Sequence, residues 1–244
     1  MDESTARPAR PHTRLTEDGR RLRQVLTYSQ RGSRLTDRQA EVWERRHRHW
    51  WVADESVDEP GFDLRRCFDR EAPLVIEIGS GIGEATAGLA ARRPDQNILA
   101  FEVWRPGVAQ TFLRLEEAGV DNVRMMSVDA VWSMEHLVAE ESLAERWVFF
   151  PDPWPKKRHE ERRLVNRRFA NLAADRLEQG ALWRLATDWG PYAEQMLEVL
   201  EAEPLLENLH DGAAPRWGER PVTRFERRGV RAGHEVTDLT FRRR

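Results

Sequence analysis

From Pro73 onward the chain alternates short apolar runs with longer stretches in which apolar residues recur every three or four positions. Short runs bounded by turn residues predict strands, and the helical period predicts helices between them. The strands fall at residues 74–78, 98–103, 123–128, 147–150, 182–186, 205–209 and 236–241, the sixth having the weakest pattern. Helices fall at 84–92, 108–118, 164–178 and 191–200. Such alternation predicts an α/β fold, a doubly wound Rossmann-like sheet with helices on both faces, whose ligands sit beyond the carboxyl ends of its strands.

The pattern changes ahead of the sheet. Up to Asp18 the sequence is polar, proline-bearing and aperiodic, which predicts disorder or ordering only on binding. Val42, Trp43, Trp50 and Trp51 stand among charges in 39–51 and predict a short helix leading into the core, and 54–61 reads as a linker. This divides the 244 residues into a basic amino-terminal arm, 1–53, and one domain, 60–244. No apolar run approaches the roughly 20 residues needed to cross a bilayer. Residues 1–14 lack the apolar stretch of a secretory signal, so a cytoplasmic protein is expected. A single cysteine, Cys67, excludes an internal disulfide and a cysteine-based zinc site, and no metal is expected.

A net charge of −3 does not by itself point to nucleic acid. Its distribution does more. Arg7, Arg10, Arg14, Arg20, Arg21, Arg23, Arg31 and Arg34 crowd the arm, further bases fill 156–168, and the tail ends Arg242, Arg243, Arg244, while acids gather at 198–207. Such segregation suits a basic face that meets phosphate, although solvated helix faces in an arginine-rich protein would look the same.

The candidate chemistry lies at the strand ends. The first strand runs through Glu77-Ile78-Gly79-Ser80-Gly81-Ile82-Gly83-Glu84 into a helix, a glycine turn that lets a ligand approach bare backbone. A nicotinamide fingerprint requires another glycine where Glu84 stands, and an acid there opposes a pyrophosphate. A cofactor without phosphate fits better, and S-adenosylmethionine is one. Glu102 closes the second strand, placed to accept hydrogen bonds from ribose hydroxyls. Asp129 closes the third, placed to meet an adenine amino group, with Glu77 near the methionine amine.

The fourth strand ends in Phe149-Phe150-Pro151-Asp152-Pro153-Trp154-Pro155-Lys156-Lys157-Arg158-His159. Its prolines hold the segment extended and fix Asp152 as an acceptor beside the cofactor, with Trp154 as an adjacent aromatic surface. Lys156, Arg158 and His159 can face a phosphate backbone, and Lys156 and Lys157 are the only lysines of the chain.

Through Glu77-Ile78-Gly79, the run from Phe150 to His159, Thr187-Asp188-Trp189 with Tyr192-Ala193, and Thr223-Arg224-Phe225-Glu226, the chain resembles the bacterial tRNA (guanine-N7)-methyltransferases. The similarity extends from about Gln24 to Arg242, with Arg31-Gly32-Ser33-Arg34 and Gln39 standing where the family has an arginine-glycine-arginine element. The resemblance implies a seven-stranded methyltransferase sheet with an antiparallel last strand. It implies that Glu77, Gly79, Gly81, Glu102, Asp129 and Asp152 bind S-adenosylmethionine, with Asp152 also catalytic. Lys156, Asp188, Thr223, Arg224, Phe225 and Glu226 would hold the substrate, a tRNA whose variable-loop guanine, position 46 in the usual tRNA numbering, receives the methyl group on N7. Either a monomer or a homodimer is compatible with the sequence.

Three rivals stand beside that expectation. Asp152-Pro153-Trp154 loosely matches the loop of enzymes that methylate exocyclic amines, with Trp in place of a second proline. A non-catalytic RNA-binding protein of the same fold would lack a cofactor acid, and none is missing. A nicotinamide oxidoreductase is opposed by Glu84 and by the want of a plausible proton donor.

Overall fold

The computed structural model describes residues 27–28, 32–59 and 61–244. The segment up to Asp18, Gln24 and the arm arginines from Arg7 to Arg23, with Arg31, lie outside the described residues.

The apolar runs form strands β1 (Leu74–Ile78), β2 (Asn97–Phe101), β3 (Val123–Met126), β4 (Leu143–Phe149), β5 (Leu177–Thr187), β6 (Leu206–Asn208) and β7 (Thr237–Arg243). They build one sheet in the order β3-β2-β1-β4-β5-β7-β6. The first five strands are parallel, and β7 inserts antiparallel between β5 and β6. Strand order reverses between β1 and β4, so the crevice that receives ligands in such sheets opens beyond Ile78 and Phe149.

Alternation along each strand feeds two cores. Ile76, Leu99, Val148 and Leu185 face one side, while Val75, Ile98 and Trp147 face the other, all essentially without solvent contact. Helices α1 (Asp37–Trp50), α2 (Glu84–Arg92) and α3 (Arg105–Ala118) carry residues of the second core, and α4 (Ala130–His136), α5 (Arg167–Arg176) and α6 (Gly190–Glu201) carry residues of the first. A last helix, α7 (Arg224–Arg231), precedes β7.

Several boundaries differ from the sequence reading. Asn166 caps α5 by accepting from the Phe169 N–H at 3.1 Å, and the helix stops at Arg176, so Leu177 and Glu178 begin β5. Strand β4 starts at Leu143, earlier than expected, because its charged residues are accommodated inside. Glu145 accepts from Arg93 and Arg184, and Arg146 stacks over Trp183 and Phe169 at 5.2 and 5.8 Å. Thr36 and Gln39 form a reciprocal capping box at the start of α1. That helix buries Val42 and Trp50, and Trp43 meets Phe112 of α3 at 5.5 Å. Beyond it Val52 donates to the Met125 carbonyl, and the expected linker is a 3₁₀ turn, Asp54–Asp58, with Val57 fully buried. Residues 37–58 thus pack against α3 and along the β3 edge of the sheet. No helix among the described residues is long and apolar enough to cross a membrane.

Candidate active site

The turn after β1 is built by glycine backbone. Gly79, Gly81 and Gly83 have φ of +81°, +61° and +75°, which side chains resist. The Gly79 and Ser80 amides both donate to the Phe101 carbonyl, drawing the ends of β1 and β2 together. A Cβ on Gly79 or Gly81 would point into open space, whereas one on Gly83 would strike Thr111 and one on Gly107 would strike the Gly81 carbonyl. The turn is therefore tight behind and open in front. Ser80 adds a buried hydroxyl with no partner among the described residues.

Three acids sit at three neighbouring strand ends. Glu77 is 2% exposed and accepts from the Thr86 hydroxyl at 2.6 Å. Burial pushes its carboxyl up to about 7, the Thr86 bond opposing and the Glu102 charge adding to the rise. Glu102 accepts from the Gly81 and Trp104 amides, both at 2.7 Å, so its carboxylate is fixed at the turn. Asp129 caps α4 by accepting from the Trp132 N–H at 2.9 Å and faces Tyr28 of the arm. Burial, and after it the Asp129 charge, push the Tyr28 hydroxyl up to about 12.

After β4 the chain enters the proline loop. Phe150 and Trp154 take φ of +54° and +44°, and each precedes a proline that disfavours the ordinary helical conformation. Non-glycine residues held there cost about 1–3 kcal/mol each. The two flank Asp152, which the loop thereby holds at the crevice, half-buried. Trp154 packs rather than standing open: Arg162 lies 3.8 Å over its ring, His159 meets it edge-on and its indole donates to the Thr27 carbonyl at 3.1 Å. Lys156, Lys157 and Arg158 are exposed just beyond.

The remaining wall comes from the carboxyl-terminal part of the chain. Thr223 caps α7, its hydroxyl accepting from the Glu226 N–H at 3.1 Å. The Arg224 N–H donates to Glu84, and exposed Phe225 packs against Phe150 with ring centres 5.3 Å apart. Asp188 follows β5 and lies against Gly229 of α7. The loops after β1, β4 and β5 and helix α7 therefore ring one mouth, and Gly79, Gly81, Glu102, Asp152, Asp188 and Phe225 are brought to it. Glu226 differs from expectation. It is buried, and both its oxygens accept from Arg216 and fully buried Arg220, which also reaches Asp238 at 2.9 Å. Burial opposes its charge, yet the two guanidiniums hold it below the usual carboxylate range.

Sequence reasoning passed over two residues at this mouth. Tyr28 lay in a segment without pattern, one of two tyrosines in the chain. Trp104, at the cap position of α3 two residues after Glu102, donates to the Gly32 carbonyl at 2.8 Å, and only that spacing could have signalled it.

The donor set suits a cofactor that carries a cation and a ribose and no phosphate. Glu84, at the start of α2 where a pyrophosphate would bind, is a carboxylate already facing Arg227 and Arg114 at 3.5 and 3.7 Å. The open glycine turn, the unpartnered Ser80 hydroxyl and the fixed Glu102 carboxylate match S-adenosylmethionine on these grounds. Among the described residues no group of three or more His, Cys, Asp or Glu is arranged to hold a metal.

A protein-family model described as "Putative methyltransferase" matches residues 71–239. The chain is 62% identical over 238 residues to a tRNA (guanine-N(7)-)-methyltransferase of a Nocardioides species, covering 98% of this chain and 95% of that protein. The enzyme of the same name from Cutibacterium acnes is 51% identical over 184 residues, 74% of this chain and 67% of that one. A crystal structure of a 16S rRNA methyltransferase superposes with a TM-score of 0.52 at 16% identity, over 74% of this chain and 90% of its own, a likeness of fold alone. Identity at that level along nearly the whole length decides the relationship, and the chain belongs to the tRNA (guanine-N(7)-)-methyltransferase family.

Proposed function

We propose that this chain methylates N7 of the variable-loop guanine at position 46 of tRNA, with S-adenosylmethionine as donor. The observation that carries this reading is the shared mouth, where a glycine turn with a fixed Glu102 adjoins Asp152, Asp188 and α7. The cofactor, when bound, supplies a methyl group made electrophilic by the adjacent sulfonium.

Guanine N7 has an in-plane lone pair and carries no proton, so no general base is required. The chain has two tasks instead. The first is alignment, for which well-oriented reactants gain about 7–11 kcal/mol. Glu77, the Gly79 to Gly81 turn, Glu102 and Asp129 hold the donor, and the arginine-rich surface with Lys156 and the exposed Arg224 of α7 holds RNA phosphate. Unstacking the base costs a few kcal/mol, which contacts from the basic arm offset. The second is electrostatic. The guanine ring becomes cationic on methylation, and Asp152 and Asp188 accept hydrogen bonds from its N1 and N2 donors and stabilise that charge. The occupied carboxylate of Glu226 gives it another part, holding α7 and its Thr223, Arg224 and Phe225 at the mouth.

The test is methyl transfer from labelled S-adenosylmethionine to two unmodified tRNA transcripts, one with guanine and one with adenine at that position, followed by strand scission at 7-methylguanosine. Label confined to the guanine transcript supports the assignment. Equal labelling of both, or label on an exocyclic amine, removes it and favours the amine-methylating rival.

A further inference from the structure

Helix α7 ends in a way that reaches back into the site. Gly233 takes φ of +85°, its N–H donates to the Val230 carbonyl at 3.0 Å, and the N–H of His234 donates to the Gly229 carbonyl at 3.0 Å. These two bonds make a Schellman cap, with glycine at the left-handed position. The residue after that glycine is folded back over the last turn of the helix and commonly makes an apolar contact there. In this chain it is a histidine, and it meets a carboxylate: Nδ1 of His234 lies 3.1 Å from Oδ2 of Asp188.

The β5–β7 register explains why the two meet. Thr187, just before Asp188, pairs with Thr237, three positions after His234, so the cap lies beside the loop that follows β5. Gly229 completes the arrangement, since a Cβ there would stand 2.8 Å from the same Asp188 oxygen. The side chain of Asp188 is 14% exposed and that of His234 45%. Among the described residues no donor meets Oδ1 of Asp188.

We infer that His234 is a positioning residue for Asp188: its Nδ1–H takes Oδ2, fixing the carboxylate plane so that Oδ1 is presented to the substrate base. With Asp188 ionised the proton sits on Nδ1, because a carboxylate can only accept. Gly229 gives the carboxylate room, and the helix cap supplies the rigidity. The inference rests on the substrate role proposed above for Asp188.

The experiment is a double-mutant cycle on the full chain, with steady-state kinetics on tRNA, a Kd for S-adenosylmethionine and a melting temperature for each variant. His234→Ala is expected to lower kcat/KM for tRNA roughly tenfold or more, the scale of a small misplacement of a reacting partner. The Kd for S-adenosylmethionine and the melting temperature stay near wild type. His234→Asn, whose amide nitrogen can reach the place of Nδ1, restores most of the activity. Asp188→Asn is strongly impaired, and adding His234→Ala to it causes little further loss. Additive losses, a His234→Ala enzyme as active as wild type, or a His234→Asn enzyme as poor as His234→Ala overturn the inference while the role of Asp188 stands. A fully active Asp188→Asn enzyme removes the role of Asp188 itself, and the inference with it.

Discussion

The indole N–H of Trp154 donates to the carbonyl of Thr27 at 3.1 Å, joining positions 127 residues apart in the chain. Trp104 does the same to Gly32 at 2.8 Å. Two tryptophans from the loops after β4 and β2 thus hold Thr27 and Gly32 at the mouth. Replacing both with Phe keeps an aromatic ring at each position and removes the donors, at about 1 kcal/mol per bond. The expected result is faster proteolysis around Thr27 and Gly32 and weaker tRNA binding, with a fall of only a few degrees in melting temperature. An unaltered cleavage pattern would show that other contacts hold the segment.

Glu77 predicts a pH dependence with a definite sign. Its carboxyl is raised from 4.5 to about 7 in the fold, so the native state holds a proton that the unfolded chain has already lost. Without cofactor, stability should fall as pH rises from about 4.5 to 7 and level off above. A cationic amine favours the ionised form, so S-adenosylmethionine should bind more tightly as pH rises through 7. Glu77→Gln should flatten both curves. Calorimetric titration and thermal melting at pH 5.5 to 8.5 check it, and a cofactor affinity that falls with rising pH would contradict it.

Gly107→Ala places a methyl group against the Gly81 carbonyl, which is backbone and cannot swing aside. The turn must shift to relieve it. S-adenosylmethionine affinity is expected to drop by more than tenfold, whereas Gly190→Ala, at a position with open space around it, should bind normally. Equal affinities in the two variants would mean that the turn tolerates displacement.

Glu226→Ala removes one of the two carboxylates facing Arg220, whose side chain is fully buried. Stripping a partner from a buried ion pair costs about 3–5 kcal/mol. Melting should fall by many degrees and tRNA binding should weaken as α7 loosens, with Glu226→Gln intermediate. A loss of tRNA binding without any loss of stability would instead point to direct contact between Glu226 and RNA.

The glycine-turn side of the candidate site was the more legible part of the sequence. An unbroken apolar run, a glycine turn and an acid at the next strand end are local signals, and β1 and α2 have the bounds that those signals predict. The side built by the loop after β5 and by α7 was less so, because its order depends on distant partners. Helix α7 reads as eight residues of mostly charge with a glycine inside, and neither fact suggests a helix. Its glycine is required by Asp188, its Glu226 is neutralised by Arg216 and Arg220, and its end is fixed by the turn into β7. The charged start of β4 escaped for the same reason, since Glu145 finds its arginines on α2's end and on β5.

The position of β7 between β5 and β6 has a consequence for the order in which the molecule assembles. Strands β1, β2 and β3 find all their partners among the first four strands of the chain, so that part of the sheet can pair while synthesis continues. Strand β6 cannot join the sheet until β7, synthesised after it, slides between it and β5. Helix α7 travels with that insertion. The glycine turn and its neighbouring strand ends can therefore form before the wall built by α7, which arrives in one late step.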